Sequence, residues 1–240
     1  MKKHGIYAAL TPRLIAIAEA AKGAKSLADI GTDHAYVPVF MVSELGALCA
    51  IAADINKGPL ERADENIKKY CLSGKISTRL SDGLKEFKAG EVDTVIIAGM
   101  GGTLIAKIIE DSLHMKTKGT KFVLQPMTAE YELRKYLHQN GYAITDETMA
   151  CEGDKLYTVI NAEVKEDEPW EEVFYHVGSK LFEKKDELFP SLLDKKITEF
   201  EKVVDGLSKA LKSREAESKK EYYEKVLKDM NELKKECDKW

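Results

Sequence analysis

Apolar residues in this chain fall into two distinct patterns. In residues 1–165 they form short runs, at 26–31, 48–54, 76–81, 93–99 and 121–126. Each run is bounded by glycine or polar turn residues, as buried strands are. Between them, 37–45, 58–70, 102–115 and 129–140 carry apolar positions at helical spacing. Asn56-Lys-Gly-Pro59 marks a helix start, with proline near the first helical position. Short strands alternating with amphipathic helices predict βαβ units and a doubly wound parallel sheet, a Rossmann-like α/β fold. After Gly141 the pattern changes, and 142–149 and 156–164 read as two strands joined across Glu152-Gly-Asp154. That predicts an antiparallel pair at the sheet edge.

The second pattern begins near the acidic stretch Lys165-Glu-Asp-Glu-Pro169, which predicts domains at 1–165 and 166–240. Leu193, Ile197, Phe200, Val204, Leu207 and Leu211 recur every three or four residues, as do Tyr223, Val226, Met230, Leu233, Cys237 and Trp240. These are heptad seams of two helices. Lys212-Ser-Arg-Glu-Ala-Glu-Ser218 has no apolar anchors and suits a reversal between them. The expectation is a C-terminal helical hairpin, an antiparallel coiled coil in a monomer. Pairing of the same seams between two chains, a homodimer, is the alternative.

Composition narrows the functional classes. The formal net charge is −4 over 240 residues, so nothing global marks a nucleic-acid binder. A local basic face would still suffice to neutralise phosphates. From 165 onward there are 17 Lys/Arg and 20 Asp/Glu, a mixed-charge tail. Cys49, Cys71, Cys151 and Cys237 are scattered without a C-x-x-C pair, which disfavours zinc and a disulfide framework; no metal is expected. Lys2 and Lys3 before an Ala/Leu/Ile-rich stretch mimic a signal peptide, but Pro12, Arg13 and Glu19 interrupt it. An amphipathic first helix, a cytoplasmic protein and no membrane span are expected.

The chemistry concentrates in Asp29-Ile-Gly-Thr-Asp-His-Ala-Tyr-Val-Pro38, where an apolar strand ends in a glycine turn and feeds a helix. Such a junction brings backbone N–H groups and a helix N-terminus to one point, suited to a nucleotide-like ligand. The next strand ends in Asp54, 23 positions after Gly31, where a ribose diol is usually gripped. Dinucleotide turns carry G-x-G-x-x-G so that a diphosphate can approach the backbone. Here one glycine is followed by Asp33, which would repel a diphosphate. S-adenosylmethionine has no phosphates and carries an ammonium and a sulfonium, so the acidic turn favours a methyl donor over a nicotinamide cofactor. Ser81-Asp82-Gly83 follows the third strand, where a carboxylate can meet an adenine amino group. Ala98-Gly-Met-Gly-Gly102 ends the fourth, where small residues leave room for a methyl group and its acceptor. Each residue also has an ordinary structural role open to it: Gly31 as a turn glycine, Asp54 and Asp82 as caps, His34 as a hydrogen-bonded side chain, Gly101 and Gly102 as a helix start. Their joint order along a βα frame carries the argument.

These segments, with Ala53-Asp54-Ile55-Asn56, Leu10-Thr-Pro-Arg-Leu14 and Leu124-Gln-Pro-Met127, resemble the motifs of the bacterial tRNA (adenine-22-N1)-methyltransferase family. The resemblance spans residues 5–165 in order, and the tail is similar to that family's coiled coil. Met127 departs from it, standing where many relatives have asparagine. The resemblance implies a class I methyltransferase that moves a methyl group from S-adenosylmethionine to N1 of adenine 22 in the tRNA D-arm, with DNA not a substrate. It places the methionine end of the cofactor at Gly31, Thr32, Asp33 and His34, the ribose at Asp54 with Ile55 beside the adenine, and the adenine edge at Asp82 and Gly83. Ala98, Gly99 and Met100 would line the reaction side. Asp33 is a candidate catalytic residue, stabilising the cationic product, and Arg13 is both a catalytic and an RNA-binding candidate, with Lys2 and Lys3. Enzymes acting on the exocyclic N6 carry an Asn/Asp-Pro-Pro-aromatic loop after the fourth strand; Gly99-Met-Gly-Gly102 has no side-chain acceptors. N1 has an in-plane lone pair, so direct in-line displacement needs alignment rather than an essential general base. Reading the chain as a non-catalytic RNA-binding protein instead leaves Gly31, Asp54 and Asp82 without a purpose.

Overall fold

The computed structural model describes residues 5–210 and 214–240. The chain divides into two compact units, Met1–Glu168 and Pro169–Trp240, the break falling inside the acidic stretch that ends at Pro169. No helix among the described residues is long and apolar enough to cross a membrane.

The first unit is built on seven strands: β1 (Ser26–Ile30), β2 (Cys49–Asp54), β3 (Ile76–Leu80), β4 (Thr94–Gly101), β5 (Lys121–Thr128), β6 (Tyr142–Glu152) and β7 (Lys155–Val164). They form one sheet in the order β3-β2-β1-β4-β5-β7-β6. The first five are parallel, and β7 runs antiparallel to both β5 and β6. Its helices are α1 (Pro12–Ala20), α2 (Tyr36–Ser43), α3 (Lys57–Lys69), α4 (Gly102–Glu110) and α5 (Glu130–Gln139). The central strands are covered on both faces, so their residues are buried in succession rather than alternately, as in Thr94–Ile97 of β4. Ile17, Phe40, Met41, Ala63 and Ile67 of α1, α2 and α3 share one core with Leu27, Ala52, Ile96, Val123 and Val159 of the sheet. In α2 every residue from Val37 to Val42 is buried, so the helix is apolar all round.

Three local features set the frame of the site. The Thr11 side chain accepts from Leu14 N–H and Pro12 opens α1, while Glu152, on the β6–β7 hairpin, accepts from Arg13 N–H at 2.8 Å. Gly102 opens α4 against the β5–α5 turn, where a Cβ would lie 2.2 Å from the Ala129 carbonyl oxygen. β4 carries a bulge: Ala98 pairs with Gln125 and Met100 with Pro126, leaving Gly99 out of register.

The helix expected over 102–115 ends at Glu110, and a 3-10 turn at Leu113–Met115 follows. That tighter turn buries Met115 and leaves Leu113 exposed, which a continued α-helix would not do.

The second unit contains α6 (Glu172–Val177), α7 (Ser179–Glu183), α8 (Phe189–Ala210) and α9 (Arg214–Cys237). α8 and α9 pack along one another as a hairpin. Leu193, Ile197 and Phe200 are buried with Val226, Met230, Leu233 and Cys237, whereas Val204 and Leu207 are half-buried. Leu211 and Lys212 lie outside the described residues. Trp240 lies beyond α9, its ring against Phe182 and Phe189. The two short helices α6 and α7 were not expected; at six and five residues, divided by Gly178, neither is long enough to show a period.

One buried ion pair ties α5 to β6. Arg134 Nε donates to Glu147 Oε1 at 2.8 Å, with side-chain exposures of 1% and 0%. Removing one member of such a pair leaves the other charge buried without that partner. Arg134→Met is expected to lower stability by about 3–5 kcal/mol in urea unfolding. Adding Glu147→Leu should recover most of that loss, because both charges are then gone.

Candidate active site

The sheet order reverses between β1 and β4, so the connections leaving those two strands pass to opposite faces and open a crevice at their carboxyl ends. Open α/β sheets bind ligands there. A cleft of about 330 Å³ occupies this position. Among the expected site residues it is lined by Arg13, Gly31, Thr32, Asp33, His34, Ala98 and Gly99, together with Leu14, Asp29, Ala35, Tyr36 and Val37.

The β1 side depends on Gly31, whose φ of +76° lets the chain leave the strand sharply. Its N–H and that of Thr32 both donate to Ala53 O, at 2.8 and 3.0 Å. Those two groups hold the turn against β2 and are not available to a ligand. The N-terminus of α2 is different: Ala35, in the left-handed region, provides no side-chain cap, and the first N–H groups of the helix have no intrahelical partner. The Met100 methyl group lies over Gly31, 2.1 Å from where a Cβ would be.

Asp29 points to this cleft from an otherwise apolar strand. Burial pushes its carboxyl up to about 6. The neighbouring Thr32 hydroxyl lowers it in part, yet makes no hydrogen bond of ordinary geometry. Asp33, by contrast, is largely exposed and paired with Arg62 of α3, whose Nε donates to Oδ1 at 2.9 Å. Its charge is therefore shared with a cation. His34 stacks on Tyr36 with ring centroids 5.1 Å apart, and its carbonyl accepts from Asn66 Nδ2 at 2.8 Å.

The remaining expected residues stand at adjacent strand ends rather than in the cleft lining. Asp54 ends β2; its Oδ1 accepts from Asn56 N–H at 2.7 Å and so shapes the entry to α3. Ile55 follows, 60% exposed, and Leu80 at the end of β3 is 50% exposed, leaving apolar surface uncovered here. Asp82 receives Lys85 Nζ at 2.5 Å. Gly83 has φ +58° and lies against Ile108 of α4.

On the β4 side, Gly99 has φ +77°, and the Arg13 guanidinium lies over it, 3.7 Å from an ideal Cβ. Arg13 Nη1 donates to Gln125 Oε1 at 3.0 Å, and its guanidinium carbon is 5.6 Å from the Tyr157 ring centre. Lys2, Lys3 and His4 lie outside the described residues.

Comparison with known proteins decides the family. The family model described as tRNA (adenine(22)-N(1))-methyltransferase matches residues 27–232. The chain belongs to that family. A Bacillus subtilis (strain 168) tRNA (adenine(22)-N(1))-methyltransferase is 40% identical over 154 residues, 64% of this chain and 65% of that protein. The alignment thus spans just under two thirds of the curated relative. In three dimensions the B. subtilis M1A22 tRNA methyltransferase TrmK matches with TM-score 0.84 at 32% identity, covering 94% of this chain and 98% of that one. M. capricolum TrmK, solved with the cofactor product S-adenosyl-homocysteine, matches with TM-score 0.75 at 30% identity over 95% and 98%. The seven-stranded sheet is accordingly a class I methyltransferase sheet.

Within this methyltransferase fold, Asp29, Arg62, Gln125, Glu152 and Tyr157 make contacts that the sequence reading did not assign to the site. Asp29 left a readable signal, a carboxylate between Ala28 and Ile30 in a buried strand. The contacts of Arg62, Glu152 and Tyr157 cross from other elements and left none.

The raised Asp29 carboxyl has a cost in stability. An unfolded aspartate titrates near 4. Between that value and about 6 the folded chain binds more protons than the unfolded one, so stability falls as pH rises through this window. Asp29→Asn should therefore be more stable than wild type at pH 7, by up to roughly 3 kcal/mol. The difference should vanish below about pH 4, measured by urea unfolding at both pH values.

Proposed function

We propose that this chain transfers the methyl group of S-adenosylmethionine to N1 of adenine 22 in the D-arm of tRNA. The observation that carries the reading is the cleft at the β1/β4 reversal in a chain of this family, with a buried carboxylate on one wall and an arginine over a glycine on the other. A cytoplasmic location accords with that substrate.

The residues present fit the methyl donor. Asp29 offers a carboxylate for an ammonium, and the uncapped start of α2 offers N–H groups for a carboxylate. Asp54 uses one carboxylate oxygen on Asn56 and keeps the other for a ribose hydroxyl. Ile55 and Leu80 supply apolar surface for an adenine, with Asp82 at its edge once Lys85 yields. The turn after β1 carries a single glycine, Gly31, and so offers a diphosphate no glycine-rich cradle.

S-adenosylmethionine supplies a methyl group on sulfonium, and its S–CH₃ bond breaks as the N1 lone pair forms the N–CH₃ bond. The chain's task is alignment. Gly99 carries no side chain and leaves the approach open, while Met100 covers Gly31 beside it. Arg13, held by Gln125, borders the approach and is placed to contact the incoming nucleotide or its phosphate. Asp33 can offset the positive charge that N1 gains only in part, because Arg62 already neutralises it. N1 lies on the Watson–Crick edge, so the base must leave its stack to reach this cleft. The helical unit is proposed to grip tRNA by shape. Lys195 is exposed there, whereas Lys196 and Lys209 are engaged by Glu199 and Asp205 and offer less.

Methyl transfer from labelled cofactor to bulk tRNA, followed by nucleoside analysis, should yield 1-methyladenosine that disappears when adenine 22 is replaced. Incorporation at another base would sink the assignment. Cofactor affinity should rise with pH up to about 6 and then level off, by up to about tenfold per pH unit, because a bound cation favours ionised Asp29. Asp29→Asn should flatten this profile and weaken binding at pH 8 when titrated calorimetrically.

A further inference from the structure

Gln125 is fully buried in β5, in the middle of a strand that otherwise contributes Phe122, Val123 and Leu124 to the core. A buried amide is costly unless its groups are paired. Its partners explain its presence. Oε1 accepts from Arg13 Nη1 at 3.0 Å and from Gly99 N–H at 3.2 Å. Nε2 donates to Pro126 O at 2.7 Å, which fixes the orientation of the amide. Gly99 is the residue that the β4 bulge leaves out of register with β5. Bulges beside active sites re-aim the residues that follow, and this one turns the chain toward Met100 and the cleft. One oxygen thus stabilises the bulge and draws the Arg13 guanidinium over it, so the two parts of the approach to the cleft share a single anchor.

We infer that Gln125 is a positioning residue for methyl transfer, setting the Gly99 bulge and Arg13 in one fixed relation across the approach path. The inference rests on the methyltransferase reading above. A side chain of similar length without an acceptor would fill the space but release both donors. Displacement of about 1 Å in such an arrangement can cost about 10²-fold in rate.

The test compares Gln125→Met and Gln125→Glu, alone and with Arg13→Ala, in the full chain with tRNA. Gln125→Met should lower kcat by about 10²-fold with the S-adenosylmethionine Kd within about twofold of wild type. Gln125→Glu gives up the bond to Pro126 O but keeps an accepting oxygen for Arg13 and Gly99, so it should hold kcat within about tenfold of wild type, a readout that stands if the methionine variant fails to fold. The Gln125→Met/Arg13→Ala double variant should be little worse than Gln125→Met, because residues acting as one unit do not have additive effects. A kcat for Gln125→Met within about threefold of wild type would overturn the inference, as would losses that multiply in the double variant or a parallel fall in cofactor affinity. Wild-type chain that makes no 1-methyladenosine would instead overturn the methyltransferase reading, and this inference with it.

Discussion

The site depends on two backbone positions that only glycine occupies comfortably. Gly31 and Gly99 leave the two central strands with φ of +76° and +77°. At Gly31 the missing Cβ makes room for the Met100 methyl group; at Gly99 a Cβ would meet the Arg13 guanidinium only in ordinary contact, so there it is the positive φ that calls for glycine. The sheet order dictates why these two positions matter together. β1 and β4 are neighbours whose following connections diverge, so their carboxyl ends form the walls of one crevice. A side chain at either position would strain the turn, and at Gly31 it would also collide with the Met100 methyl group.

The second constraint is a polar group kept in a place where stability alone would not put it. Asp29 is buried among apolar neighbours, and its carboxyl is pushed up to about 6. A chain optimised for folding would hold an amide or an apolar residue there. On the proposed reading, a cation bound in the cleft gains from a carboxylate that has not already been neutralised. Asp33 illustrates the difference. It is two residues past the turn glycine, exposed and paired with Arg62, so its charge is largely answered within the protein.

Much of the architecture was legible because both faces of the parallel strands are covered. Apolar-rich runs such as 26–31 and 121–126, alternating with helical spacing, pointed to buried parallel strands in a doubly wound sheet. The hairpin after Gly141 showed its turn in Glu152-Gly-Asp154. What stayed hidden was short or non-local. α6 and α7 are too brief for periodicity, and the 3-10 turn at Leu113–Met115 mimics one more helical turn. Within the site, the motif around Gly31 was readable as a unit, but its division of labour was not. Sequence spacing marks Asp33 as the acidic residue of the turn; only the position of α3 brings Arg62 to it.

The sequence by itself determined the order of the strands and of the longer helices, the places where glycine frees the backbone, and the family to which those motifs are similar. All of these are local properties, set by the side-chain period and by the φ that each residue tolerates. Tertiary structure decided which groups meet. It set Arg13 of the first helix over Gly99 of the fourth strand, joined them through Gln125 of the fifth, and fastened that helix with Glu152 from the hairpin. It also buried Asp29 and left Asp33 in solvent, because burial depends on what packs above a residue, and no stretch of neighbouring sequence carries that information.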